Sequence, residues 1–109
     1  MKTFEKWAEA DLKKRVKAEK GKVIKLGGNQ VNGLPDDLVI MPGGKHFYVE
    51  LKSLKKVPKP LQFIQMGELS KLGCNVFWGN TPDLLELFYI YIGLANWKVP
   101  DKIKDQYAV

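Results

Sequence analysis

Two runs of alternating character, Asp37 to Met41 and Lys45 to Lys52, stand on either side of Pro42-Gly43-Gly44. Successive side chains of a strand point to opposite faces, and adjacent glycines supply the positive φ angles of a tight turn. The spacing predicts an antiparallel hairpin, and with it a chain organised around a sheet. In the second strand Phe47, Val49 and Leu51 share one face while Tyr48, Glu50 and Lys52 share the other. A two-residue turn centred on Gly43 and Gly44 sets Asp37 opposite Glu50 and Asp36 opposite Leu51, so acids converge at the open end of the hairpin. Strands about 4.8 Å apart bring such carboxylates close enough to share a divalent cation; without one they repel or raise each other's pKa. Lys52 points to the same side as Glu50, where its ammonium suits a phosphate oxygen or an attacking water. Taken alone, E-x-K is a short pattern that a solvated ion pair also satisfies, and Asp36-Asp37 equally starts a strand after Pro35.

Helices are expected on both sides of this hairpin. From Thr3 to Lys20 the residues Phe4, Ala8, Leu12 and Val16 recur every four positions and make one apolar stripe, which Gly21 ends. At 100° per residue Glu5 lies about 40° from the stripe's centre and Glu9 about 80°. Glu5 is therefore the acid nearer the core, with Glu19 also in line near the helix end. Lys22 to Leu26 reads as a further strand, followed by a loop from Gly27 to Gly33. After the basic tract Ser53 to Pro60, Leu61 to Leu72 reads as a helix with Leu61, Ile64, Leu69 and Leu72 as its apolar positions, capped by Gly73. Cys74 to Trp78 suits a buried strand, and Asp83 to Leu94 a last helix that is apolar nearly all round. The tail beyond Trp97 has no decisive pattern.

Composition narrows the chemistry. The 109 residues fit one domain spanning the whole chain. Eighteen Lys and Arg against twelve Asp and Glu leave a net charge of +6, which points to an anionic partner. One cysteine, Cys74, excludes an internal disulfide and a two-thiolate zinc site, and one histidine, His46, excludes two-histidine metal sites. Catalysis by such a chain rests on carboxylates and amines. The N-terminal residues mix charges with no apolar run, and no stretch reaches the roughly 20 apolar residues of a membrane span, so a soluble cytoplasmic protein is expected.

The run Gly33-Leu34-Pro35-Asp36, then Glu50-Leu51-Lys52, then Pro60-Leu61-Gln62, then Leu69 with Gly73 resembles the VRR-NUC family of the PD-(D/E)XK nuclease superfamily. That family shows a G-x-P-D turn, an E-x-K strand, a glutamine opening the next helix and a Leu-x-x-x-Gly ending it, and the resemblance extends from about Glu5 to Trp78. It implies an α/β fold of restriction-endonuclease type, a central mixed sheet flanked by helices. It further implies Mg2+- or Mn2+-dependent hydrolysis of DNA phosphodiesters. Asp36 and Glu50 would be the metal-binding carboxylates, the Leu51 carbonyl a further ligand, Lys52 the catalytic amine, Glu5 the first-helix glutamate and Gln62 the helix residue beside the site. Relatives often carry a basic residue directly after P-D, where this chain has Asp37. Compact members of the family acting as paired subunits on branched DNA make a homodimer and a four-way junction the expected assembly and substrate. A DNA-binding module that keeps the fold without cleaving is the alternative, and an RNA-directed protein a weaker one, since no strand carries a row of exposed aromatics.

Overall fold

The structure, a computed structural model, describes residues 3–26, 32–94 and 98–107. The elements follow in the order α1 (Phe4–Ala18), β1 (Lys22–Lys25), β2 (Asp37–Ile40), β3 (His46–Leu51), α2 (Pro60–Lys71), β4 (Asn75–Gly79), α3 (Pro82–Tyr91) and α4 (Asp101–Gln106). The four strands form one sheet in sequence order, β1 to β3 antiparallel and β4 parallel to β3 with α2 as the crossover. This is the mixed α/β sheet the sequence predicts. Most of the loop expected from Gly27 to Gly33 lies outside the described residues, as does Trp97.

Thr3 starts α1 by accepting the Lys6 N–H on its hydroxyl at 3.2 Å, and the stripe Phe4, Ala8, Leu12 and Val16 is buried along its whole length. Truncating one of its large residues removes about 2–5 kcal/mol. Lys20, not Gly21, takes the left-handed conformation that ends the helix, at φ 65°. The requirement for glycine at position 21 is one of space: a Cβ there would meet the Ile40 carbonyl oxygen at 2.7 Å and the Val16 side chain at 2.8 Å.

α1 and α3 cover the sheet face that carries Val39, Phe47 and Val49. Phe88 of α3 packs on Phe77 and Phe47 with ring centres 4.6 and 6.1 Å away, and buried Tyr89 donates its hydroxyl to Asp11 Oδ2 at 2.9 Å. Burial and the Asp11 charge together push the Tyr89 phenol well above its ordinary range. The tail folds back over α3. Tyr107 lies against Phe4, and the Val99 N–H donates to Glu86 Oε2 at 2.8 Å beside the Lys104 ammonium. Burial alone would raise the Glu86 carboxyl, but these two donors hold it below its ordinary range.

α2 lies on the opposite face, and here the expected packing is corrected. Met66 is the buried residue of this helix, while Leu61, Ile64 and Leu72 face solvent and Leu69 is half-buried. The helix spans the β3-to-β4 crossover and touches the sheet at its β4 side, with Phe63 edge-on to Trp78. One helix resting on one strand leaves most of its apolar residues uncovered.

The turn of the hairpin is also longer than expected. The Met41 N–H donates to the Lys45 carbonyl at 2.8 Å and the Gly44 N–H to the Met41 carbonyl at 3.1 Å, which makes a three-residue loop of Pro42, Gly43 and Gly44. Gly43 and Gly44 both have positive φ, 92° and 85°. The register is therefore Asp37 opposite Val49 and Val39 opposite Phe47, one residue away from the two-residue alternative.

Candidate active site at the open end of the hairpin

Alternation along β2 and β3 now separates the neighbouring aspartates. Asp37 shares the face of Val39, Phe47 and Val49, beneath α1. Asp36, one residue earlier, turns toward the face of Glu50 and Lys52. Its backbone N–H donates to Glu50 Oε1 at 2.9 Å, which locks the G-x-P-D turn onto β3. The turn is fixed from its other side by Gly33, whose φ of 86° excludes most side chains and whose absent Cβ would stand 2.8 Å from the Leu61 side chain and carbonyl. One short turn thus touches both β3 and the start of α2.

Glu50 is 1% exposed, and its second oxygen lies 3.0 Å from the Lys52 ammonium without a hydrogen bond of good geometry. Burial pushes the Glu50 carboxyl above the usual carboxylate range. The Lys52 ammonium counteracts that, the Asp36 charge adds to it, and the Asp36 N–H offsets part. A buried carboxylate with one oxygen short of donors, beside a second carboxylate and a strand carbonyl, is the hard-oxygen donor set that Mg2+ or Mn2+ takes. Among the described residues no three His, Cys, Asp or Glu side chains cluster into a metal site by themselves.

Asp37 stands apart from this set. It is 1% exposed, its Oδ1 has no hydrogen-bond partner, and its neighbours are the charges of Glu9, Lys25 and Lys13. Burial first, and the Glu9 charge second, push its carboxyl up to about 6. Glu9 itself is held by Lys25 of β1 and, at 3.6 Å, by Lys13 one helical turn on. Glu9 is thus the first-helix acid whose charge reaches the sheet. Glu5, one turn earlier and half-buried, makes no hydrogen bond or ion pair among the described residues. The apolar stripe reports which line of α1 is buried, but not which turn of the helix crosses over the aspartates. Lys25, which draws Glu9 to the sheet, carries that signal.

Gln62 sits in the first turn of α2, where its Oε1 accepts the Lys59 N–H at 2.8 Å and caps its own helix. It makes no described bond to Asp36, Glu50 or Lys52. Trp78, expected from the sequence at the end of a buried strand, is half-buried, is the register partner of Glu50 across β3 and β4 and shares its face. His46, at the far end of β3, is exposed, and Cys74 is half-buried before β4.

No family model matches the sequence, and no curated protein matches it significantly. Among solved structures the fold is similar to one described as a VRR_NUC domain, with a TM-score of 0.73 and 32% sequence identity. The match covers 83% of this chain and 97% of the other, so it takes in the whole of that domain rather than a shared fragment. An identity of that size over a complete domain, together with the G-x-P-D turn locked to the E-x-K strand, places the chain in the VRR-NUC family of nuclease-like domains.

Proposed function

We propose that the protein is a divalent-metal-dependent endonuclease that hydrolyses DNA phosphodiester bonds. The observation that carries the reading is the buried Glu50 carboxylate, one oxygen on the Asp36 N–H and the other facing the Lys52 ammonium. Asp36, Glu50 and the Leu51 carbonyl would hold Mg2+ or Mn2+. When bound, such an ion polarises a phosphoryl oxygen and acidifies water. Glu50 and Asp36 fix where that charge sits, because the first is immobilised in the sheet and the second is tied to it through its own backbone. Lys52 lies on the same face, its side chain 18% exposed. Its ammonium is a point charge that stabilises the developing phosphate oxyanion or orients the attacking water.

The charge distribution supports a polyanionic substrate. Lys13, Lys17 and Lys22 line an open groove of about 330 Å3 between α1 and β1. Plasmid cleavage in Mg2+ or Mn2+, abolished by chelation, tests the reading, and intact plasmid under both ions leaves a DNA-binding module instead. Lys52→Ala should lower the cleavage rate about a hundredfold while metal affinity, read by Mn2+ calorimetry, changes little. Loss of affinity would show that the ammonium supports the carboxylates rather than the phosphate.

The finer reading is a homodimer acting on branched DNA such as a four-way junction. Leu87, Ile90 and Tyr91 remain exposed on α3, whose Leu85, Phe88 and Tyr89 are buried in the core, and a two-fold contact through the exposed residues would set two sites on one substrate. Among the described residues no helix is long and apolar enough to cross a membrane, so these residues are not part of a membrane-spanning helix. Sedimentation equilibrium at micromolar concentration should give twice the chain mass, and a single-chain mass with and without junction DNA would rule out the dimer.

A further inference from the structure

The surface beside Glu50 carries a feature that phosphodiester hydrolysis alone does not require. Trp78 is the register partner of Glu50, so the two side chains leave the same face of the sheet one strand apart, about 4.8 Å between backbones. Phe63 stands edge-on to Trp78 with ring centres 5.8 Å apart and is 44% exposed. Phe63 and Trp78 thus form a short aromatic ridge, while Leu61 and Ile64, 44% and 56% exposed, project from other sides of α2. Leu61 touches Gly33 of the turn that carries Asp36, which ties α2 to the site from a second direction.

The ridge is embedded in positive charge. From Leu51 to Gly67 the chain contains Lys52, Lys55, Lys56 and Lys59 and no acidic residue. The loop that bears these lysines is anchored, with the Lys56 carbonyl accepting the Asn80 side-chain N–H at 2.7 Å and the Lys56 N–H donating to the Ser53 carbonyl at 3.0 Å. Apolar and aromatic side chains exposed to water among fixed lysines suit a ligand that offers flat apolar faces and negative charge together. Nucleotides do so when their bases are unstacked; within a duplex those faces are hidden and the phosphates alone are accessible.

We infer that the Phe63–Trp78 pair receives an unpaired base of the DNA next to the scissile phosphate, while Lys55, Lys56 and Lys59 contact the flanking phosphates. The inference rests on the nuclease reading and deepens it: the subsite takes an unpaired nucleotide because a paired one cannot lay its base on the ridge.

The test uses a Trp7→Phe, Trp97→Phe chain, in which Trp78 is the sole tryptophan, combined with Glu50→Gln to prevent cleavage. Single-stranded and flapped oligonucleotides should quench Trp78 emission and bind more tightly than a fully paired duplex of equal length. Phe63→Ala should reduce that preference about tenfold, the size of one lost base–aromatic stack, and Phe63→Tyr should restore it. DNA binding without quenching, or equal affinity for paired and unpaired DNA, overturns the inference even if the Glu50 chain cleaves. Quenching by unpaired DNA in a protein whose Glu50 form never cleaves keeps the inference and removes the nuclease reading. Binding to no oligonucleotide overturns both. An emission change that follows protein concentration without DNA would assign the ridge to a second copy of the chain and overturn it as well.

Discussion

Glu50→Gln is expected to leave a folded protein that no longer cuts DNA, with turnover down by about a thousandfold or more, equivalent to ~4 kcal/mol of transition-state stabilisation. The amide keeps the shape of the side chain, and its oxygen still accepts the Asp36 N–H that now reaches Glu50 at 2.9 Å, so the G-x-P-D turn stays in place. What disappears is the negative charge a divalent cation needs, since an amide oxygen is a far weaker ligand than a carboxylate. Burial already works against that charge in the metal-free protein, so removing it does not unfold the sheet. Thermal melting and Mn2+ calorimetry accompany the cleavage assay: a melting point close to the parent's with no metal uptake is the expected pair. A folded Glu50→Gln protein cutting at the parental rate would dismantle the assignment.

The second large effect separates Asp36 from Asp37. Asp36→Asn should abolish cleavage, whereas Asp37→Asn should retain it and stabilise the protein at neutral and alkaline pH. The sign follows from proton linkage. Burial and the Glu9 charge push the folded Asp37 carboxyl up to about 6, against 3.8 for an ordinary aspartate. Between those values the folded state holds a proton that the unfolded state has released, so stability falls as pH rises through this window and levels off above it. The gap of roughly two units corresponds to about 3 kcal/mol. Asp37→Asn removes the titrating group, so its melting point should exceed the parent's by up to about 10 °C at pH 8 and by almost nothing near pH 4, both in chelator. Its unpartnered Oδ1 and the nearby Glu9 charge give the structural reason for the cost. The opposite ranking in the cleavage assay would make Asp37 the ligand.

Much of this arrangement is legible in the residues. The four-residue recurrence of α1 and the two-residue alternation of β3 are strong signals because each element buries one continuous side, and G-x-P-D with E-x-K marks the turn and strand that meet at Glu50. Other features depend on information no local stretch contains. Pro42-Gly43-Gly44 supports either a two- or a three-residue turn, and the choice alone decides which aspartate faces Glu50. Leu61 and Ile64 look like packing residues until the narrow contact of α2 with β4 leaves them in solvent. α4 is held by Glu86 and Phe4, which lie far away in sequence, so nothing near it announces its position.

The three-residue turn has a reach beyond the residues that form it. Side chains alternate at every step of a strand, so the length of that loop acts as the phase of β2 relative to β3. Gly43 and Gly44, with nothing near enough to crowd a side chain, lie six residues along the chain from Asp37 and Glu50, about 20 Å of extended strand. Shortening the loop by one residue would exchange the sides on which the two aspartates emerge, turning the buried acid toward the face of Glu50 and Lys52 and the other toward α1. Two adjacent acids in the chain therefore make the chemistry of this end of the hairpin a function of residue count at the other, so that a one-codon deletion far from Glu50 would exchange the acid beside it without altering either aspartate.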